Sequence, residues 1–339
     1  MQAAKTETLA VLGAGAWGTA LAVLLARNGA CIRLWGHEPG HMEQLIRERC
    51  NARFLPGTSF PDALQPCKEI SRALDGVRDI LMVVPSAGFR ETLQRITATT
   101  ADGIRLAWAS KGMEPGTGKL LHEIVGEVMG KDTPMAVISG PTFAHEVAQE
   151  LPTAISAAAS DEGFARDLVS LLHNDRFRVY TSHDIIGLEV GGAVKNVHAI
   201  AAGIADGLGF GANTRAALVT RGLVEMTRLG VALGGRRETF MGLAGLGDLV
   251  LTCTDNQSRN RRLGLALAGG KTLREALGEI DQAVEGIQSA LETTNLARRH
   301  GIVMPIAEQV YQVLHEGKPP REAVDALLSR HQRDESFGV

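Results

Sequence analysis

The run Thr8-Leu9-Ala10-Val11-Leu12-Gly13-Ala14-Gly15-Ala16-Trp17-Gly18 decides the fold. Its first five residues read as a short buried strand. The glycine turn that follows opens onto a helical pattern, Thr19 to Asn28, which Gly29 stops, and Cys31 to Trp35 reads as a second strand. A GxGxxG run after a strand and before a helix is the fingerprint of a dinucleotide-binding turn. Gly13 permits the tight turn, Gly15 lets a pyrophosphate approach the backbone, and Gly18 lets the helix pack closely. The helix start adds free N–H groups and the positive end of its dipole. Trp17 is unusual within such a loop. It either covers the dinucleotide or packs against a neighbouring loop, and both readings stand at this point.

Working outward, three more apolar runs follow: Ile80 to Val84, Ile104 to Trp108 and Met135 to Ser139. Strands alternating with helical patterns imply a parallel sheet with right-handed crossovers. After about Gly187 the patterns turn helical and rich in alanine and leucine, as in Ala193 to Ala205, Thr214 to Leu229, Arg262 to Ala268 and Ala290 to Arg298. The expected architecture is therefore α/β: an N-terminal Rossmann-type doubly wound parallel sheet over 1–188, then an all-helical domain over 189–339. The polar tail Ser329 to Val339 is expected to fray.

Composition fits this plan. The 339 residues suit two domains, and the 4% of aromatics means that the cores are aliphatic and alanine-rich. A net charge of −3 offers no basic excess for a phosphate backbone, which argues against nucleic-acid binding. The cysteines Cys31, Cys50, Cys67 and Cys253 are scattered with no CxxC pair. They read as reduced thiols, not as a disulfide frame or a metal site. The apolar run Leu9 to Leu12 is too short for a signal peptide, and no run approaches the roughly 18 apolar residues of a membrane helix. The reading is a cytoplasmic protein without membrane insertion.

Several polar residues stand where an open α/β sheet binds ligands, outside the carboxyl ends of its strands. At the end of the second strand Gly36-His37-Glu38 lacks an acid at the strict position that selects NAD. His37 suits a 2′-phosphate, so the expectation leans to NADP with dual use left open; the alternative is that both side chains are solvated. Ser86 closes one apolar run. Lys111 closes the next, either to meet an anion or simply to lie on the surface. Thr142 can cap a helix or meet a ligand, and one role does not exclude the other. Lys195 lies early in a helix of apolar and small residues, where an ammonium is costly unless paired or functional; the plain alternative is snorkelling to the surface. Asp248 is a carboxylate among glycines and leucines, and Ser258-Arg259-Asn260 is dense in donors suited to phosphate, the plain alternative being a helix cap with a surface arginine.

Taken together, GAGAWGTALA (13–22), NARFLPG (51–57), VPS (84–86), SKG (110–112), SGPTFAHEVA (139–148), GGAVKN (191–196), GLGDL (245–249), SRN (258–260) and VEG (284–286) resemble the bacterial NAD(P)-dependent glycerol-3-phosphate dehydrogenases. The motifs run in order over nearly the whole chain. The resemblance implies reduction of dihydroxyacetone phosphate to sn-glycerol 3-phosphate, the backbone precursor of phospholipids. It implies that Lys195 is the catalytic lysine, working with Asp248. It assigns Lys111, Gly140, Thr142, Lys195, Asp248, Ser258, Arg259 and Asn260 to the substrate. To the cofactor it assigns Gly15, Ala16, Trp17, His37, Lys111, Ala144, Arg259, Val284 and Glu285, beside Gly13 and Gly18 of the turn. Thr142 stands where serine is common and His37 where arginine is frequent, which puts the NADP preference in doubt. A homodimer is left open. The rival readings are a 3-hydroxyacyl-CoA or 6-phosphogluconate type of dehydrogenase, the former needing a His–Glu pair, and a non-enzymatic NAD(P)-binding sensor.

Overall fold

The computed structural model describes residues 8–100, 103–280 and 282–330; residues 331–339 of the polar tail lie outside them. The chain divides into two compact units. One is built from Met1–Ser110, His122–Ile138 and Thr142–Ile185, the other from Lys111–Leu121, Ser139–Pro141 and Ile186–Val339.

In order, the strands are β1 (Thr8–Leu12), β2 (Cys31–Trp35), β3 (Cys50–Asn51), β4 (Leu55–Ser59), β5 (Leu64–Cys67), β6 (Asp79–Met82), β7 (Arg105–Trp108), β8 (Met135–Ser139), β9 (Thr153–Ala159) and β10 (Phe177–Ser182). Eight of them form a sheet in the order β10-β9-β8-β7-β6-β1-β2-β5, and β3 and β4 pair as an antiparallel ribbon. The neighbours of β1 run parallel to it, with Val11 opposite Leu34 on one side and Leu81 on the other. The strand order reverses beside β1, so the end of β1 is the topological switch point, where ligands bind in such sheets.

Both faces of the sheet are covered, which is why its strands read as nearly continuous apolar runs. Leu9, Val11, Ile32, Leu34, Leu81 and Ala107 share one core with Leu21 and Leu25 of the helix Ala16–Arg27. The alternate residues Ile80, Met82, Leu106 and Trp108 are buried on the other face. There Phe89, at the start of the helix Phe89–Thr99, meets Trp108 edge to face at 6.0 Å. At the amino ends of β6 and β7, Asp79 and Arg105 stand in register and form a buried two-pronged ion pair with both bonds at 2.6 Å. Asp167 adds a further bond at 2.5 Å. These carboxylates hold the Arg105 guanidinium in its charged form more firmly than usual.

All the described elements after β10 are helical. The helix Ile185–Gly207 is buried continuously from Gly187 to Ala205. Among the described residues, one stretch is long and apolar enough to cross a membrane, which the sequence reading did not recognise, and it is this helix; 89% of its apolar 18-residue window is buried within the protein, as befits a core helix. Small residues let its neighbours come close. A Cβ on Gly203 would lie 2.1 Å from the Arg261 carbonyl oxygen, and one on Gly264 would lie 2.2 Å from that of Ile200. This crossing seats the helix Arg259–Ala268 directly on the central helix.

The element boundaries differ locally from expectation. The first helix starts at Ala16, not Thr19, because Gly15 takes the extended N-cap conformation and its carbonyl already accepts from Thr19 N at 2.9 Å. The third strand of the sequence reading ends at Met82, two residues early. The ribbon β3–β4 and the strands β5, β9 and β10 carried no signal that the sequence reading recognised.

Candidate active site

Two constellations stand out, one in each unit. In the sheet unit, Gly13 follows β1 at the switch point, with φ +122°, and its N–H donates to the Trp35 carbonyl at 2.7 Å. A Cβ there would lie 2.5 Å from the Val83 carbonyl oxygen, and one on Gly18 only 1.8 Å from that of Gly13. Neither position admits a side chain. Gly15 differs: it is exposed, and a Cβ on it would meet nothing within 4 Å. The turn is thus closed on its inner side and open above Gly15, where Ala16 and Trp17 begin the helix. That is the form a pyrophosphate needs for close backbone approach. Trp17 packs half-buried against the sheet core, and its indole N–H is buried without a partner among the described residues.

At the end of β2 the His37 side chain is 79% exposed, with its Nε2 3.9 Å from Glu38 Oε1. Glu38 is engaged instead by Arg53 at 3.0 Å. Ser86 is buried at the start of a short 3-10 turn. Thr142 and Ala144 also belong to the sheet unit. The helix Ala144–Ala148 has its N-cap at Phe143, so Thr142 is not the cap that the sequence allowed.

In the helical unit the expected polar residues converge. Asp248 opens the helix Asp248–Thr254 and is completely buried. Its Oδ1 accepts from Lys195 Nζ, and its Oδ2 accepts from Lys111 Nζ at 2.6 Å. Lys195 also donates to Thr252 Oγ1 at 3.0 Å, and Lys111 to the Gly140 carbonyl at 3.2 Å. Lys195 neither snorkels nor lies on the surface, since its side chain is only 7% exposed. Lys111, too, is well covered, at 16%. Burial pushes the Lys195 ammonium down to about 7; Asp248 works against burial and Lys111 with it.

Beside this set lies a second cluster of donors. Ser258 caps the helix Arg259–Ala268 by accepting from Arg261 N. Arg259 Nη1 donates to the Ala283 carbonyl at 2.9 Å, next to Val284 and Glu285. Burial lowers the Arg259 pKa, and Glu285 opposes that. Asn260 Nδ2 donates to Asn196 Oδ1 at 2.9 Å, and its Oδ1 accepts from Gly286 N at 3.0 Å. Asn196 follows Lys195 in the chain, so the two clusters share one helix.

Three residues that the sequence reading did not nominate belong here. Thr252 lies one helical turn after Asp248, a spacing that would have flagged it. Asn196 ties Asn260 to the lysine's helix. Ser139 is 4% exposed and its hydroxyl has no partner among the described residues. That hydroxyl lies 3.1 Å from where a Cβ of Gly192 would stand, beside the Lys111 stem and one turn before Lys195. The His–Glu pair of the rival reading also exists, as His198 and Glu225 at 3.3 Å. It is fully buried, and Glu225 is committed to the N–H groups of Ile306 and Ala307 at 2.7 and 3.1 Å. It braces a helix start.

A dinucleotide turn at the switch point of a doubly wound sheet, followed in the chain by a helical unit with a buried lysine–carboxylate set, defines an NAD(P)-dependent oxidoreductase. The comparisons narrow the class. Residues 8–165 match the family model of the NAD-dependent glycerol-3-phosphate dehydrogenase N-terminus, and residues 184–325 that of its C-terminus. The chain is 57% identical over 325 residues to the glycerol-3-phosphate dehydrogenase [NAD(P)+] of Nitrosococcus oceani, covering 96% of this chain and 94% of the relative. It is 56% identical over 328 residues to that of Aeromonas salmonicida, covering 96% and 98%. The crystal structure of glycerol-3-phosphate dehydrogenase from Coxiella burnetii superposes with a TM-score of 0.94 at 50% identity, covering 96% of this chain and 99% of that one. The chain belongs to the NAD-dependent glycerol-3-phosphate dehydrogenase family.

Proposed function

We propose that this enzyme reduces dihydroxyacetone phosphate to sn-glycerol 3-phosphate with NADPH or NADH, and catalyses the reverse reaction. The observation that carries this reading is the buried Lys195 ammonium, shared between Asp248 and Thr252 and drawn down to about 7. When bound, the reduced nicotinamide supplies the hydride that the carbonyl carbon receives.

The protein's own groups handle charge and protons. As the ketone becomes an alcohol, negative charge develops on its oxygen. Asp248 and Thr252 take two of the three ammonium hydrogens of Lys195, and the third suits that oxygen. Lys195 stabilises the developing alkoxide and gives it a proton. In the oxidation direction neutral Lys195 takes the proton from the alcohol. A pKa near neutrality makes both states accessible, whereas a free lysine at about 10.4 would release its proton poorly. Asp248 holds both lysines in place and keeps Lys195 from becoming permanently neutral. Lys111 adds positive charge and pushes the Lys195 pKa down.

The substrate phosphate carries roughly two negative charges at pH 7. Arg259, Asn260 and the start of the helix capped by Ser258 are the donors suited to it. Gly13 to Gly18 take the pyrophosphate, with Ala144, Val284 and Glu285 also on the cofactor side. At the 2′ position, exposed His37 favours NADP, while Glu38 suits the free hydroxyl of NAD, so dual use follows with a lean to NADP. We place the reaction in the cytoplasm, supplying phospholipid synthesis; the four free cysteines suit a reducing compartment.

The test is NADPH and NADH oxidation with dihydroxyacetone phosphate as the only ketone. Oxidation of either supports the reading. Oxidation of neither rejects it.

A further inference from the structure

Asn51 lies in β3 and is completely buried. Its amide uses its full hydrogen-bonding capacity. Nδ2 donates to the Ala14 carbonyl at 3.0 Å and to Thr19 Oγ1 at 2.8 Å. Oδ1 accepts from Phe54 N at 3.1 Å and faces His41 Nε2 at 3.1 Å. The orientation of the amide is not arbitrary, because a carbonyl only accepts and a backbone N–H only donates. Ala14 sits inside the glycine turn, and Asn51 reaches it across 37 residues of sequence.

The consequence lies in the peptide that joins Ala14 to Gly15. In a trans peptide the C=O and the N–H point in opposite directions. Asn51 anchors the carbonyl on the buried side, which turns the Gly15 N–H to the exposed side, where space is open. This restraint matters at this peptide in particular. Glycine tolerates positive φ as readily as negative, so a peptide ending at Gly15 flips with little backbone penalty unless something holds it. Flipped, it would present a carbonyl oxygen to a pyrophosphate in place of an N–H. We propose that Asn51 is a positioning residue for the dinucleotide: it locks the Ala14–Gly15 peptide with its N–H toward the pyrophosphate. This rests on the dinucleotide reading of the turn and gives a task to the NARFLPG run, which had none.

The experiment uses the intact enzyme and measures the Kd of NADPH and NADH by tryptophan fluorescence, together with kcat and KM for both substrates. Asn51→Asp keeps the acceptor for Phe54 and His41 but loses the donor to Ala14. Asn51→Ser carries no charge and is too short to reach Ala14. Both variants should weaken cofactor binding at least about tenfold, with kcat at saturating cofactor and KM for the ketone within about twofold, since a tenfold change corresponds to 1.4 kcal/mol, the size of one hydrogen bond. Thr19→Val removes the other Nδ2 acceptor and should leave the cofactor Kd near wild type. Wild-type affinity in both Asn51 variants overturns the proposal. So does weakening by Asn51→Asp alone, which would mark a charge effect, or equal weakening by Thr19→Val, which would mark a general loosening of the fold. Failure of the wild-type enzyme to bind either dinucleotide would reject the underlying reading instead.

Discussion

Lys195 and Asp248, 53 residues apart in sequence, meet in a pair whose carboxylate is wholly buried. A carboxylate buried to that degree must be paired with cations. Asp248 has two, and the charge it contributes sets the working range of Lys195.

Replacing Asp248 by Asn removes the negative charge that touches Lys195 and raises its pKa against burial. At an effective dielectric of about 20, a pair about 4 Å apart interacts by roughly 4 kcal/mol, which bounds the downward shift at about three pKa units. The pH–rate profile for ketone reduction should therefore move to lower pH by about one to three units, with kcat at neutral pH down by about fivefold to a few hundredfold. Steady-state kinetics from pH 5 to 9 check this. An unmoved profile would mean that another group titrates.

In the unaltered enzyme the two directions should respond oppositely to pH. Reduction needs the protonated lysine, so kcat should fall as pH rises through about 7; oxidation needs the neutral lysine and should rise over the same window. Initial rates in both directions, each at saturating substrates, check the crossing.

Arg259→Ala should chiefly raise KM for the phosphorylated ketone, by about tenfold to a hundredfold for the loss of a charge-assisted contact. An unchanged KM would remove Arg259 as the phosphate anchor.

Far from this chemistry, Arg105→Ala leaves Asp79 buried without its cation. Breaking a buried pair from one side costs about 3–5 kcal/mol. Thermal unfolding should show a clear drop in Tm, while KM for the ketone stays near wild type.

How much of this was legible in the sequence follows from how local each signal is. The turn at Gly13 to Gly18 was plain, because strand, glycines and helix are contiguous. β9 was not, since Thr153–Ala159 is built of threonine, serine and alanine with a single isoleucine. β10 lies at the sheet edge and buries only alternate residues at its start. Lys111 reads as a surface lysine until Asp248, 137 residues away, is brought to it. Asn51 is similar: it bonds the Ala14 backbone carbonyl, which no side-chain pattern betrays, and only the fold joins them.

The most direct test of the whole account is Lys195→Ala, assayed for turnover and for cofactor binding in the same preparation. Loss of the acid–base group should lower kcat by about a thousandfold or more, within reach of the usual ~10²–10⁴ for such groups, with the NADPH Kd within about twofold of wild type. A near-normal kcat in that variant would contradict it.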